Sequence, residues 1–375
     1  MNIAVNTRVL IKNKLEGIGW FTYETMKRIT QNHPEHTFYF IFDRPYNKEF
    51  IFSDNIKPIV IGPPARHPVL FYYWFEKRIP KVLKQINADL FISPDGYLSL
   101  STNVKSIAVI HDISFMHNPK DFPFGIRNYY QYFFPRFAEK AKRIVTVSEF
   151  SKNDISKQFN IDKNLIDVVY NGSKEIYKPL SNFEITNTKI QYTFGKDFFL
   201  FVGALSPRKN VVNLLKAFDI FKLKTDSNFK LVIVGEKMFK TKDIKDIFNQ
   251  MQFKDDVVFT GRMNPEELRK LYASAYALTF VPYFEGFGIP IIEAMNCETA
   301  VVTSNVTSMP EVAGNAALLV DPFSVDSIVN AMIKIFSDSN LRLELIEKGK
   351  IQCKEFSWDK TAIKFWDSIE KVINE

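Results

Sequence analysis

Short apolar runs alternate with longer helical runs along the whole chain, and this alternation restricts the possible folds more than any other feature. The first half contains the strand-like runs MNIAVNT, TFYFIFD, KPIVIG, DLFISP, SIAVIHD, RIVTVS and DVVYNG. The second half contains FFLFVGAL, KLVIVG, DVVFTG, ALTFVPY, AVVTS and AALLVD. Helical runs such as GWFTYETMKRIT and NVVNLLKAFDIFKLK lie between them. Apolar strands bracketed by helices are typical of parallel sheets covered on both faces. The pattern predicts an α/β chain with two doubly wound, Rossmann-like sheets.

Residues 173–196 interrupt the pattern. This segment is rich in Ser, Asn, Thr and Lys and has no steady period, which indicates a domain boundary. We therefore predict domains at 1–175 and 176–356, followed by an amphipathic helix over 357–375. A length of 375 residues suits two domains. Because parallel sheets bind ligands at the carboxyl ends of their strands, the expected site is a cleft that both domains face.

The composition argues against several classes of protein. A hydrophobic fraction of 46% and a charged fraction of 24% are those of a soluble globular protein. No apolar run reaches the roughly 18 residues of a membrane span, and the N-terminus has no signal-peptide pattern, so we expect a cytoplasmic protein. Cys297 and Cys353 are interpreted as reduced core residues outside any metal-ligand spacing. The net charge of +7 fits either phosphate-bearing partners or a lysine-rich surface.

The stretch PYFEGFGIPIIEAM, residues 282–295, says most about chemistry. Glycine in its Gly-x-Gly turn lets the backbone approach a ligand closely. Pro290 suits the first turn of a helix, and a helix start directs N–H groups and partial positive charge at the turn. Glu285 and Glu293 can reach different hydroxyl groups of one ligand. The arrangement suits a molecule that combines hydroxyls with phosphate, such as a nucleotide sugar.

Further motifs of the second half also follow strands. Arg208 and Lys209 lie in SPRKN, where two cations at the start of a helix make a pyrophosphate site; a charged surface loop is the alternative. Gly261 and Arg262 end DVVFTG, where a nucleoside base can meet backbone groups. Gly235 ends KLVIVG in the same way.

Two motifs of the first half are interpreted in two ways each. Gly17 and Gly19 form a glycine-rich loop after the first strand, which would let a ligand approach the backbone, but a simple turn fits equally well. His111 ends SIAVIHD, where an imidazole can donate to a sugar hydroxyl or to a developing charge. The alternative is a structural histidine with satisfied hydrogen bonds.

In this order the motifs resemble those of glycosyltransferase family 4, retaining enzymes of the two-domain GT-B fold. The resemblance covers nearly the whole chain, and its most specific element is the Glu-x7-Glu signature from Glu285 to Glu293. The supporting elements are EGIGWF, HD at 111–112, VSEFS at 147–151, NG at 171–172, SPRKN, MPEVAG at 309–314 and FSW at 356–358.

The resemblance implies a role for each part. The first domain, with the last helix crossing back onto it, would bind the acceptor, and the second domain the nucleotide-sugar donor. Arg208 and Lys209 would contact the pyrophosphate, Glu285 the transferred sugar, and Glu293 the ribose hydroxyls. His111 would face the sugar from the opposite domain. The remaining donor contacts would be Gly17, Gly19, Arg262, Gly286, Phe287, Gly288 and Ile289. Ala204 follows Gly203 where some relatives carry an arginine, so phosphate neutralisation would rest on Arg208 and Lys209.

The implied activity is transfer of a hexose from a nucleoside diphosphate to an acceptor hydroxyl with retention of configuration. No Asp-x-Asp motif occurs, and no metal or other cofactor is expected. The loops look most like mannosyltransferases of surface-polysaccharide synthesis, which favours GDP-mannose and a saccharide or polyprenol-linked acceptor. A nucleotide-sugar hydrolase or epimerase of the same fold and a non-catalytic nucleotide-sugar-binding protein are the alternatives. Because the basic residues are dispersed and no recognition motif occurs, no nucleic-acid partner is expected.

Two segments mix aromatic and basic residues: PVLFYYWFEKRIPKVLKQ, residues 68–85, and FGIRNYYQYFFPRFAEKAKR, residues 124–143. Such helices suit the surface of an anionic membrane, which would make the protein peripheral at the inner face of the cell membrane. Ordinary amphipathic core helices with a solvated basic edge are the alternative.

Overall fold

The computed structural model describes residues 1–236 and 241–374. The chain divides into two compact units, one formed by residues 1–172 with 357–375 and the other by residues 173–356. The sequence pattern had placed this boundary after residue 175.

The first unit contains a sheet of seven parallel strands in the order β3-β2-β1-β4-β5-β6-β7. The strands are β1 (Asn2–Asn6), β2 (Thr37–Phe42), β3 (Ile56–Val60), β4 (Leu90–Ser93), β5 (Lys105–Val109), β6 (Arg143–Thr146) and β7 (Ile166–Val168). The helices are α1 (Gly17–Asn32), α2 (Pro68–Tyr73), α3 (Ile79–Gln85), α4 (Ser114–His117), α5 (Phe124–Lys140) and α6 (Glu149–Phe159). A π-helical turn, Trp74–Arg78, joins α2 to α3.

The second unit contains a sheet of six parallel strands in the order β10-β9-β8-β11-β12-β13. The strands are β8 (Phe198–Val202), β9 (Lys230–Val234), β10 (Val257–Gly261), β11 (Ala277–Phe280), β12 (Ala300–Ser304) and β13 (Ala317–Val320). The helices are α7 (Asn182–Thr193), α8 (Val211–Thr225), α9 (Lys242–Gln250), α10 (Pro265–Ser274), α11 (Ile289–Asn296), α12 (Met309–Ala313), α13 (Val325–Ser337) and α14 (Ser339–Gln352). The predicted pair of doubly wound sheets is confirmed.

Helix α7 corrects one expectation. It lies inside the segment 173–196, for which the sequence pattern predicted no regular structure. The helix starts at a capping box, in which the Ser181 hydroxyl accepts from the Glu184 N–H and the Glu184 carboxylate accepts from the Ser181 N–H. Because the capping box satisfies orphan donors at a helix start, it supports a helix whose apolar face is weak. The Ser-x-x-Glu spacing was the available signal.

The last helix, α15 (Trp358–Ile373), belongs to the first unit and packs against α1. The Phe21 and Phe365 rings lie 5.6 Å apart, and the Arg28 guanidinium pairs with Asp359 at 2.5 Å. A Cβ added to Gly172 would lie 2.3 Å from the Trp358 nitrogen. The NG and FSW motifs therefore meet in the packing of this helix.

Strand order fixes where a ligand site can lie. It reverses between β1 and β4 in the first unit and between β8 and β11 in the second. In doubly wound sheets the loops that diverge at such a switch point leave a crevice at the carboxyl ends of the strands. The residues that follow β8 and β11 are therefore expected to converge.

The two aromatic and basic segments divide their side chains between core and surface. Phe71, Trp74 and Phe75 are buried in the first unit, as ordinary core helices require. Their neighbours Tyr72 and Tyr73 are exposed. The sequence left open whether these helices belong to the core or to the surface. The structure buries some of their side chains and exposes others.

Candidate functional site

Two loops of the second unit meet at its switch point. After β8 the chain makes a 3-10 turn, and Asn210 ends it with a φ of 62°, a conformation that asparagine tolerates better than most residues. The Asn210 amide donates to the Val281 carbonyl at 3.0 Å. The Tyr283 N–H donates to the Arg208 carbonyl at 3.0 Å. These bonds hold the loop after β8 against the loop after β11.

An ion pair formed by two cations and one carboxylate lies where the loops meet. The Arg208 Nη1 and the Lys209 Nζ each lie 2.5 Å from the Glu285 Oε2. Lys209 is only 8% exposed, and its ammonium sits 4.8 Å from the centre of the Phe280 ring. The structure thus brings together three residues that the sequence assigned to one site.

The charge balance of this group favours an anion. Burial alone would raise the pKa of Glu285, but the charges of Arg208 and Lys209 outweigh burial and lower that pKa. Glu285 is therefore ionised at neutral pH and pairs with both cations. Within this group of three side chains the cations outnumber the carboxylate, and a partly buried cation attracts phosphate more strongly than a solvated one.

The turn after Glu285 leads directly into α11. Gly288 caps this helix with a φ of 100°, and Pro290 lies in its first turn. The Ser308 hydroxyl donates to the Glu285 carbonyl at 2.9 Å and to the Phe287 carbonyl at 3.2 Å. The loop is thus fixed with the start of α11, and the partial positive charge of that helix end, beside the ion pair.

Side chains of the same turn differ in what they can contact. Gly286 is buried, and Ile289, the first residue of α11, is half-buried. Phe287 is buried, and its ring lies 5.5 Å from that of Phe356. The predicted donor contact of Phe287 is therefore restricted to its backbone, because its side chain belongs to the core.

Glu293 lies one turn into α11 in a different environment. It is 8% exposed, and the Tyr272 hydroxyl donates to its Oε2 at 2.7 Å. The Tyr177 hydroxyl also favours the charged form of this carboxylate. Burial raises the pKa of Glu293 to about 7, against the opposing effects of the Tyr272 hydroxyl, the Lys174 charge and the Tyr177 hydroxyl.

The two carboxylates of the Glu-x7-Glu signature thus have opposite electrostatics. Glu285 has two cationic partners and a lowered pKa, whereas Glu293 has two phenolic partners and a raised pKa. Environments that separate the pKa values of two nearby acids are typical of sites where the acids do different work. Glu285 is placed to balance cations, and Glu293 to accept hydrogen bonds from a neutral ligand group.

Arg262 does not lie in the two loops, after β8 and β11, that meet at the switch point. It is exposed after β10, the edge strand, and β9 separates β10 from β8. Gly261, at the end of β10, has a φ of 73°, and its carbonyl accepts from the Gly235 N–H at 2.9 Å. A base contact at Gly261 and Arg262 stays a prediction.

Gly235 has a structural role that its sequence context did not indicate. Its φ is 151°, and a Cβ added there would lie 1.9 Å from the Gly203 carbonyl oxygen. The ends of β8 and β9 can approach this closely only because Gly235 lacks a side chain.

We expect Gly235→Ala to lower the melting temperature more than Gly195→Ala does. Gly195 also has a positive φ, of 78°, but an added Cβ would meet nothing within 4 Å. The control therefore measures left-handed strain alone, roughly 1–2 kcal/mol, whereas Gly235→Ala adds an overlap with backbone. Calorimetry of both variants tests this, and equal melting temperatures would show that the contact can relax.

The glycine-rich loop predicted in the first unit is helical, so that prediction is wrong. Gly17 is the first residue of α1, and Gly19 is buried in its first turn. A Cβ on Gly19 would lie 3.1 Å from the Leu15 side chain and 3.2 Å from the Val9 carbonyl oxygen. Close packing of α1 on the preceding loop explains the small residue. Donor contacts by Gly17 and Gly19 stay a prediction.

His111 follows β5, and its ring orientation is fixed. Its Nε2 lies 2.9 Å from the Pro94 carbonyl oxygen. Because a carbonyl only accepts, Nε2 carries the proton, and Nδ1 of the neutral ring is an acceptor. Burial lowers the pKa of His111, which favours this neutral form. The expected direction is therefore reversed: the ring would accept from a sugar hydroxyl through Nδ1.

A buried ion pair at the switch point of the first unit was missed. The Arg8 Nε lies 2.6 Å from the Asp95 Oδ2, and the guanidinium lies 4.2 Å from the centre of the Tyr97 ring. Asp95 also accepts from the Asn6 amide at 2.7 Å. The available signal was position, since Arg8 and Asp95 follow β1 and β4, the neighbours between which strand order reverses.

Across residues 1–236 and 241–374, no helix is both long enough and apolar enough to cross a bilayer. The same residues include no group of three or more His, Cys, Asp or Glu side chains that could hold a metal ion.

Comparison with protein families gives two matches that together cover most of the chain. The family model described as Glycosyltransferase Family 4 matches residues 15–173. The model described as Glycosyl transferases group 1 matches residues 185–352.

Individual proteins are also similar to this chain over most of its length. O-antigen chain mannosyltransferase B of Escherichia coli is 29% identical over 361 residues, which are 93% of this chain and 94% of that protein. O-antigen chain mannosyltransferase RfbU of Salmonella typhimurium strain LT2 is 30% identical over 258 residues, 68% of this chain and 67% of that protein. The crystal structure of Anabaena HepE in complex with UDP and glucose has a TM-score of 0.77 at 16% identity, covering 98% of this chain and 99% of HepE.

Proposed function

The chain belongs to glycosyltransferase family 4 and has the GT-B fold, and we therefore propose that it transfers mannose from GDP-mannose to a saccharide or polyprenol-linked acceptor. We propose further that the transfer retains the configuration of the sugar. The enzyme is a hexosyltransferase. Its proposed place is surface-polysaccharide synthesis in the cytoplasm.

The ion pair of Arg208 and Lys209 with Glu285, beside the start of α11, is the observation that carries this proposal. It brings together two cations, a carboxylate and the start of a helix at the point where two loops meet. A nucleoside diphosphate sugar offers the matching groups, a diphosphate joined to a ring with hydroxyls.

The proposed chemistry places these groups around the breaking bond. The bond between the sugar C1 and the diphosphate oxygen breaks, and the acceptor oxygen forms a bond to C1 on the same face. The acceptor proton passes to a phosphate oxygen of the leaving diphosphate. Arg208, Lys209 and the start of α11 stabilise the charge that grows on the diphosphate, a preorganised electrostatic effect. Glu285 orients the sugar, and no carboxylate acts as nucleophile.

His111 is proposed to contact the transferred sugar through Nδ1. Its Nε2 proton is held by the Pro94 carbonyl, so the ring presents a fixed acceptor at the end of β5. A hydroxyl of the hexose is the matching donor.

The choice of mannose rests on the relatives. Both mannosyltransferases named above act in O-antigen chains by their names, and they are 29% and 30% identical to this chain. The contacts that choose guanine over uracil are proposed to lie near Gly261 and Arg262, at the end of β10.

The function is tested by incubating the protein with GDP-mannose, and in parallel with UDP-glucose, and a panel of mannosides carrying an apolar aglycone. We expect an α-linked product from GDP-mannose by NMR, and unchanged activity in excess chelator. Release of free mannose at the same rate with and without acceptor would favour the hydrolase alternative. Complete loss in chelator with recovery on adding manganese would contradict a metal-independent mechanism.

We also propose that the first unit binds anionic membrane through α2 and α5, which would bring it to a lipid-linked acceptor. Phe124 is 71% exposed and Val69 is 68% exposed, and Tyr72, Tyr73 and Tyr132 are exposed as well. Arginines cover two of these rings, with Arg127 5.1 Å from the centre of the Phe124 ring and Arg136 3.7 Å from that of Tyr132. Aromatic rings under cations suit the headgroup region of anionic lipid.

Phe124→Glu is expected to reduce flotation with vesicles that contain phosphatidylglycerol by more than fivefold at low salt. Phe183→Glu is the matched control, because Phe183 is 75% exposed on α7 of the second unit. Absence of wild-type binding to these vesicles, or equal loss in both variants, would remove the membrane proposal.

A further inference from the structure

Two tyrosines from different elements converge on one buried carboxylate of the second unit. Tyr272 lies on α10 and Tyr177 in the segment before α7, and both are buried. Their rings meet edge to face with centres 5.5 Å apart. The Tyr272 hydroxyl donates to the Glu293 Oε2 at 2.7 Å, and the Tyr177 hydroxyl favours the charged form of the same carboxylate.

The phenol partners of Glu293 indicate what its carboxylate can do. A buried carboxylate is normally paired with a cation, as the buried Asp95 is with Arg8 at 2.6 Å. Phenols fix the orientation of a carboxylate without cancelling its charge, and the charge of Lys174 also favours the ionised form of Glu293. Glu293 therefore keeps strong acceptor capacity at a set angle, because each carboxylate oxygen can accept more than one hydrogen bond.

The Tyr272 backbone is itself anchored. Thr299, which follows α11, donates through its hydroxyl to the Tyr272 carbonyl at 2.6 Å. Asn296, near the end of α11, donates through its amide to the Ser173 hydroxyl at 2.8 Å. Helix α11 is thus tied both to α10 and to the segment that contains Tyr177, so the two phenols and Glu293 form one rigid group.

We propose that Tyr272 and Tyr177 are positioning residues that hold Glu293 to accept hydrogen bonds from the ribose diol of the nucleotide, and so select ribonucleotides over deoxyribonucleotides. This inference rests on the proposed function. A hydroxyl that donates to a carboxylate in a dry site strengthens binding by about tenfold to a hundredfold. That gain depends on the carboxylate pointing at the hydroxyl, which is the task of the two phenols.

The test compares the dissociation constants of GDP and 2′-deoxy-GDP by calorimetry, with UDP and 2′-deoxy-UDP in parallel. For the wild type we expect the ribonucleotide to bind at least tenfold more tightly than its deoxy form. For Tyr272→Phe we expect this ratio to fall at least about fivefold, with Tyr177→Phe acting in the same direction. Tyr276→Phe is the matched control, because its hydroxyl donates to the Ile335 carbonyl at 3.3 Å, and the ratio should not change.

A double-mutant cycle shows whether the tyrosines act through Glu293. In a Glu293→Gln background, adding Tyr272→Phe should leave the ratio where Glu293→Gln alone sets it. A ratio unchanged in Tyr272→Phe, or equal losses of both nucleotides in Tyr272→Phe and Tyr276→Phe, would overturn the positioning role while leaving the proposed function standing. Absence of binding by any of the four nucleotides would instead contradict the proposed function, and this inference with it.

Discussion

Replacing Lys209 with methionine is expected to lower kcat about a hundredfold with GDP-mannose as donor. The methionine keeps the length of the buried stem but removes the ammonium that lies 2.5 Å from Glu285. Within this group Glu285 then pairs with Arg208 alone, and the site loses one of the two cations that face the diphosphate. Loss of one preorganised group that stabilises developing charge raises the barrier by roughly 3 kcal/mol. Steady-state kinetics at saturating donor measures this change.

Lys222→Met is the matched control for Lys209→Met. Lys222 is also buried, and it shares Asp256 with Lys230 as Lys209 shares Glu285 with Arg208. The two variants therefore lose the same kind of ion pair in the same unit, but only Lys209 lies in the proposed site. Lys222→Met should unfold at a lower temperature and retain kcat. A kcat that falls equally in both variants would attribute the loss to the fold and not to phosphate stabilisation.

Glu293→Gln is expected to stabilise the protein at pH 8 while weakening donor binding. Burial raises the pKa of Glu293 from 4.5 to about 7, so ionising this group in the folded state is unfavourable. The stability that the protonated carboxyl provides is complete below pH 4.5 and is lost as pH rises through 7. At pH 8 the difference is about 3 kcal/mol. A neutral glutamine avoids it, so the variant should melt several degrees higher at pH 8 and near the wild-type temperature at pH 4.5.

Glu285→Gln should show the opposite sign, which makes the pair of variants decisive. Arg208 and Lys209 lower the pKa of Glu285 against the effect of burial. Its ionised form therefore contributes stability above pH 4.5, and this contribution is lost as pH falls through the lowered pKa. Glu285→Gln should melt lower than the wild type at pH 8. Equal shifts in both variants would contradict the different environments assigned to these carboxylates.

Donor binding should follow the ionisation of Glu293. Accepting from ribose hydroxyls requires the carboxylate, so the wild-type affinity for GDP should fall by about fivefold between pH 7 and pH 6, and by about tenfold between pH 8 and pH 6. In Glu293→Gln the affinity should be lower and nearly independent of pH over this range. Calorimetric titrations at pH 6, 7 and 8 measure both effects, and a pH-independent wild type would contradict a role for the Glu293 charge in binding.

Strands were predictable here because their signal is local. Runs such as FFLFV and AVVTS are buried along their whole length, and an uninterrupted apolar run identifies a central parallel strand without long-range information. Helix α7 was missed because its sequence is polar and its start depends on a capping box. Gly17 and Gly19 were assigned to a loop because glycine frequency, taken alone, does not distinguish a turn from close packing of a helix start.

The candidate site also contains both residues that the sequence predicted and residues that it did not. Arg208, Lys209 and Glu285 were found because each directly follows a strand, and neighbouring strands at a switch point bring their loops together. Tyr272 and Tyr177 were not found, since they lie on a helix and in an irregular segment, far in sequence from Glu293. Arg8 and Asp95 belong to a pair that only the order of β1 and β4 reveals. Contacts that depend on strand order are visible in the structure, but the spacing of residues along the sequence does not reveal them.

A crystal structure of the wild-type protein soaked with GDP tests the central claim most directly. We predict that phosphate oxygens lie within about 3 Å of the Arg208 and Lys209 side chains. The ribose hydroxyls should lie at the same distance from the Glu293 carboxylate. Density for GDP bound elsewhere on the second unit, or none at millimolar GDP, would contradict the assignment of this switch point as a nucleotide-sugar site.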